Sequence, residues 1–188
     1  SVVANFVEQG AGNVLTVQVF PVDGSGGSVT SDPAGIDCGN DCSETYTPGT
    51  EVELTAAPNP GYAFIGWSGA TSGDSPVANV TMSVNRTAIA TFDQKAYSLS
   101  VTGVGGTVTV DPVKTTYAYG DEVTLTATAT GADPFNRWTG DLTSTENPVT
   151  FTVGVDTSES DTEISIVAQF GDAPTGGVYL PIVRNNAP

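Results

Sequence analysis

Histidine is absent from the 188 residues. With it go the commonest general base, the commonest zinc ligand and every Ser-His or Cys-His nucleophile pair. Basic residues are scarce: 5 Lys and Arg stand against 21 Asp and Glu, a formal charge of −16. Such a surface repels nucleic acid and anionic membranes, so neither is an expected partner. No apolar run approaches the roughly 18 residues of a membrane span. No window repeats apolar residues at i, i+3, i+4 and i+7, so essentially no helix is expected. Neither an initiating Met nor a signal-peptide core stands at Ser1, which reads as a mature product or an excised piece, both compatible with export.

What the chain does have is turn residues and β-branched residues. Gly 22 and Pro 12 punctuate short apolar runs, and charged residues make up only 14%. This is the profile of an all-β protein with frequent turns, large enough for one medium or two small domains. The acidic residues sit mostly in turn contexts such as Val22-Asp23-Gly24 and Gly120-Asp121-Glu122. Solvated loop tips explain them better than a carboxylate pair for glycoside hydrolysis. No cofactor is expected.

Cys38 and Cys42, the 2 cysteines, flank Gly39-Asn40-Asp41. A small disulfide ring is favoured over a redox pair, which usually has two intervening residues beside a helix, or half of a metal site. A disulfide implies an oxidising, extracytoplasmic setting. Asp37, Asn40 and Asp41 in the same run are weak calcium candidates, because the spacing lacks the Asp-x-Asx-x-Asx-Gly loop pattern.

The chain repeats itself. Gly26-Gly27-Ser28-Val29 matches Gly105-Gly106-Thr107-Val108 at an offset of 79, and Glu51-Val52-Glu53-Leu54-Thr55-Ala56 matches Glu122-Val123-Thr124-Leu125-Thr126-Ala127 at 71. The fall from 79 to 71 places eight extra residues in the first copy between Pro33 and Tyr46, around both cysteines. The second copy lacks them, so the disulfide reads as the staple of a dispensable surface insert. Alternation in Leu15-Val17-Val19, Val52-Leu54-Ala56 and their counterparts predicts strands with one buried face. Each copy carries a Phe-x-x-Trp-x-Gly frame, Phe64 to Gly69 and Phe135 to Gly140. Equivalent placement of Trp67 and Trp138 favours core anchors over sugar-stacking platforms. Phe92 and Phe170 close each copy in an Ala-x-Phe ending and are expected to join those cores.

These motifs, with Tyr-x-x-Gly-x-x-Val-x-Leu-Thr-Ala and Gly61-Tyr62-x-Phe64-x-Gly66-Trp67-x-Gly69, resemble the divergent InlB B-type repeat over residues 13 to 170. The second copy departs from the pattern, with Ala132-Asp133-Pro134 in place of Gly61-Tyr62-Ala63. The resemblance implies small β-grasp-like, mostly antiparallel modules of the bacterial cell surface, with no catalytic residues to carry over. The expected division is an orphan strand over 1–12, repeats over 13–93 and 94–171, and a linker with a strand-like tail over 172–188.

Both ends carry strand-like segments. Val2, Val3, Ala4 and Phe6 form a third Ala-x-Phe ending that closes no repeat, and Val178, Leu180 and Ile182 follow a Gly/Pro linker. An exposed sheet edge is a template for strand addition. The expectation is a non-catalytic extracellular protein polymerising head to tail, with residues 1–9 or 178–184 completing a sheet in the next copy. Deleting residues 1–9 should then leave folded monomers. The alternative is an adhesive or glycan-binding stalk whose partners are other surface proteins or a polysaccharide.

Overall fold

A computed structural model describes residues 12–171, and they are all-β, with fourteen strands and no helix. They form two compact units that divide between Ala96 and Tyr97.

The first unit contains β1 (Asn13–Phe20), β2 (Gly27–Asp32), β3 (Asp37–Cys38), β4 (Ser43–Tyr46), β5 (Glu51–Pro58), β6 (Tyr62–Gly69), β7 (Val77–Thr81) and β8 (Arg86–Gln94). They make two sheets, ordered β4-β1-β8-β6 and β3-β2-β5-β7. Alternation decides which side chains meet between them: Leu15 and Val17 from β1, Val29 from β2 and Val52 and Leu54 from β5 are at most 2% exposed. The polar residues between them in sequence face outward, as a period of two requires.

The second unit contains β9 (Ser98–Val104), β10 (Gly106–Asp111), β11 (Glu122–Ala129), β12 (Phe135–Gly140), β13 (Val149–Thr152) and β14 (Glu163–Phe170). Its sheets are β12-β14-β9 and β10-β11-β13, the first unit's pattern with β3 and β4 missing. Its core is built around Val123, Leu125, Trp138, Phe151, Ile164 and Ile166.

Most pairings are antiparallel, but in each unit the first strand runs parallel to the last. β1 pairs with β8 from Leu15↔Arg86 to Phe20↔Thr91, and β9 with β14 from Ser98↔Glu163 to Val104↔Gln169.

The Phe-x-x-Trp-x-Gly frame has a local explanation. Residues three apart on a strand point to opposite faces, yet Phe64 and Trp67 share the core. A bulge between Phe64 and Gly66 in the β6–β8 pairing inserts the extra residue that restores a common face, and one between Phe135 and Arg137 does the same in β12–β14. The rings of Phe64 and Trp67 then lie 5.4 Å apart, and those of Phe135 and Trp138 5.2 Å. The glycine two residues on is required by space and by backbone: Gly69 has φ +86°, and a Cβ there would stand 2.5 Å from the Thr87 carbonyl oxygen.

Candidate functional site: the open flank of the second repeat

The sequence-predicted residues fall into two groups. Trp138 is fully buried and Trp67 only 5% exposed. Their Nε1–H groups donate to the backbone oxygens of Glu146 (2.9 Å) and Ser75 (3.0 Å). Phe92 and Phe170 meet Phe64 and Phe135 edge-on, with ring centres 5.4 and 6.0 Å apart. Neither indole is available to stack on a sugar. The second group, Val2, Val3, Ala4 and Phe6 with Val178, Leu180 and Ile182, lies outside the described residues.

Cys38 and Cys42 are disulfide-bonded, with Cα atoms 4.2 Å apart. The expectation that they staple an insert lying on the surface does not hold. Cys38 is 2% exposed and belongs, with Ile36 and Tyr46, to the core of the first unit. The reason is topological. The extra residues supply β3 and β4, one added edge strand for each of the unit's two sheets. β3 pairs with β2 through Val29↔Cys38 and Thr30↔Asp37. β4 pairs with β1 through Asn13↔Tyr46, Leu15↔Glu44 and Thr16↔Ser43. The disulfide ties the two added edges together.

The calcium candidates serve that turn. The Asp37 carbonyl accepts the Asn40 and Asp41 amides at 2.9 and 2.8 Å, and Asp41 Oδ1 accepts the Ser43 amide at 3.3 Å. Among the described residues, no group of three or more His, Cys, Asp and Glu side chains could hold a metal ion.

Among the described residues the second repeat has no such cover. Only one contact of the β1–β4 type survives: Tyr97 and Tyr117 exchange two backbone hydrogen bonds of 2.8 Å, as the isolated bridge before β9. The Tyr117 hydroxyl donates to the Pro112 carbonyl at 2.8 Å, the counterpart of Tyr46 on Pro33. Beyond Tyr117 no other described residue pairs with this edge. The outward direction at Tyr97 and the Ser98 amide bond towards β14 (to Thr162 O, 2.8 Å) set the alternation along β9. Leu99, Val101 and Gly103 therefore aim their backbone groups away from the sheet. Neighbouring β10 is likewise an edge strand. The consequence shows in burial: Leu15, Val17 and Val29 are sealed, whereas Leu99 and Val101, read from the sequence as the same kind of buried face as Leu15 and Val17, are half-exposed, and so is Val108. Val104 at the end of β9 is 62% exposed.

This flank is what inspection of the motifs alone missed. The signal was the drop in repeat offset, which marked an insertion but not that the insertion supplied edge strands.

Electrostatics near the flank is local. Lys114 Nζ donates to Asp121 Oδ2 at 2.7 Å, and the Ala118 amide donates to the same oxygen at 2.9 Å. These bonds, Lys114 foremost, hold the Asp121 carboxyl below its ordinary range. Burial, followed by the Glu159 carboxylate, pushes the Tyr97 phenol up. A surface hollow of about 410 Å³ is lined by Arg137, Trp138, Thr139, Thr143, Ser144 and Thr145. Its lining includes no carboxylate and so offers no acid–base pair.

Two tandem all-β repeats, each a pair of small sheets around one aromatic-anchored core, define a surface-type repeat module. The chain belongs to the divergent InlB B-repeat domain family, whose model matches residues 15–96 and again 97–174. These are repeats of the bacterial surface type, and the disulfide is in keeping with an extracellular setting. No curated protein and no solved structure matches the chain.

Proposed function

We propose that the chain is a non-catalytic structural subunit of an extracellular bacterial surface filament, joined to its neighbours by β-strand addition. One observation carries the reading. Among the described residues, the flank that the first repeat closes with its own β3 and β4 has no covering strand in the second, where β9 and β10 are edge strands with half-exposed apolar side chains. Edges of this kind are templates for another strand. A contact between an edge on one copy and a segment elsewhere on the next is heterologous, so it propagates unless its rotation closes a ring. The net charge of −16 keeps free subunits apart in solution, leaving a specific backbone pairing as the means of association.

The adhesive or glycan-binding reading relied on an exposed aromatic platform, and the burial of both indoles weighs against it. Negative-stain microscopy and light scattering across a concentration series test the proposal. Filaments of constant width support it. A chain that remains monomeric at every concentration overturns it.

A further inference from the structure

We infer that the open flank along β9 accepts residues 178–182 of a second copy, with Leu180 opposite Val101 and Ile182 opposite Leu99, which rests on the strand-addition reading above. The first repeat supplies the template. There β4 runs antiparallel to β1, with Glu44 opposite Leu15, and the Val17 amide donates to the Cys42 carbonyl at 2.8 Å. β9 holds the same place against β14 that β1 holds against β8, so Leu99 and Val101 correspond to Leu15 and Val17. A strand on this track needs inward side chains at the positions of Cys42 and Glu44. Leu180 and Ile182, two residues apart, provide them and would seal Leu99, Val101 and Val108.

Pro181 decides the register. A proline has no amide to donate and is tolerated only where a sheet edge asks for none. In the proposed alignment it falls opposite Ser100, whose own backbone is committed to β14. The equivalent residue in the first repeat is Ser43, and its amide bonds the Asp41 side chain at 3.3 Å instead of β1. The position therefore requires no N–H. The strand ends after Ile182, where Tyr117 already occupies Tyr97.

The other end of the chain fits less well. Ala4-Asn5-Phe6 has the sequence of a closing strand, and both repeats already hold theirs in β8 and β14. The donor belongs to a second copy because the exit from β14 is held away from β9. The Gly171 amide donates to the Pro134 carbonyl at 2.8 Å, and Asn136 Nδ2 donates to the Gly171 carbonyl at 2.6 Å, on the β12 side. A return within one chain would then cross the end of the sheet already taken by the Val104–Gly105 turn, which sits against Phe170.

The test is a cysteine pair in the full chain, Val101→Cys with Leu180→Cys, oxidised with the Cys38–Cys42 bridge intact. Directly opposed strand residues lie within disulfide range. A ladder of covalent dimers and longer species on a non-reducing gel is expected, collapsing on reduction. Val101→Cys with Tyr179→Cys, whose side chain faces the other way, should give no ladder. Leu180→Asp, which alters no residue of the two cores, should abolish assembly and leave both tryptophan emissions unchanged. A crosslink closed within single chains overturns the second-copy donor. Filaments that survive Leu180→Asp but disappear on deletion of residues 1–9 overturn the donor and leave strand addition standing. A wild-type chain that never assembles removes both.

Discussion

Removing the Cys38–Cys42 bridge asks whether the insert is part of the first repeat's core. The perturbation is Cys38→Ala with Cys42→Ala. A ring closed across a sequence separation of 4 contributes about 2 kcal/mol through the loop entropy of the unfolded chain. Cys38 is also 2% exposed and packed in the core, so deleting its sulfur adds about 1 kcal/mol. For a repeat of this size the urea dependence is about 1 kcal/mol per molar, so its midpoint should fall by roughly 3 M. The two tryptophans allow each repeat to be followed alone: Trp138→Phe leaves Trp67 to report the first, and Trp67→Phe leaves Trp138 to report the second. Each cysteine-free chain is compared with its single-tryptophan parent. The Trp67 transition should move to lower urea while the Trp138 transition stays in place. An unmoved Trp67 transition would show that the insert detaches without disturbing the core, and the account of β3 and β4 would fail.

Two more predictions follow from the second repeat. Trp138→Ala removes a fully buried indole and leaves the Glu146 carbonyl without its donor, at a cost of about 3–5 kcal/mol, which approaches the stability of a small domain; circular dichroism should show partial unfolding while Trp67 keeps its buried emission. Asp121→Asn tests the Lys114 pair: because the folded carboxyl titrates lower than in the unfolded chain, its stabilisation is present above about pH 4 and is lost as pH falls through the folded value. Lys114 is 42% and Asp121 25% exposed at the side chain, so the loss at pH 7 should be at most about 1 kcal/mol, vanishing at pH 2; equal losses at the two pH values in urea titrations would contradict the electrostatic origin.

The strands were legible because their chemistry is local. Alternation at Val52-Leu54-Ala56 and Val123-Leu125-Ala127 assigned the inward faces, and all six residues are buried. The aromatic frame was legible as a motif, though not its cause, since a bulge is a property of pairing and leaves no mark in one strand. Pairing explains the other differences too. The parallel contact between first and last strands joins residues about 70 positions apart, which no local pattern encodes. Cys38 read as part of a surface insert because a strand of two residues is too short to alternate. Its role emerged only once the bare counterparts Leu99 and Val108 could be compared with Leu15 and Val29.

The parallel contact of first and last strands also determines how a repeat meets a pull. Parallel neighbours place the entry of the first strand and the exit of the last at opposite ends of the pair. Tension along the backbone then drags β1 and β8 past each other in shear, loading the whole run from Leu15↔Arg86 to Phe20↔Thr91 at once. An antiparallel terminal pair would instead peel open one bond at a time. The same holds for β9 against β14, so each repeat resists stretching at the point where a pull between its two ends would arrive.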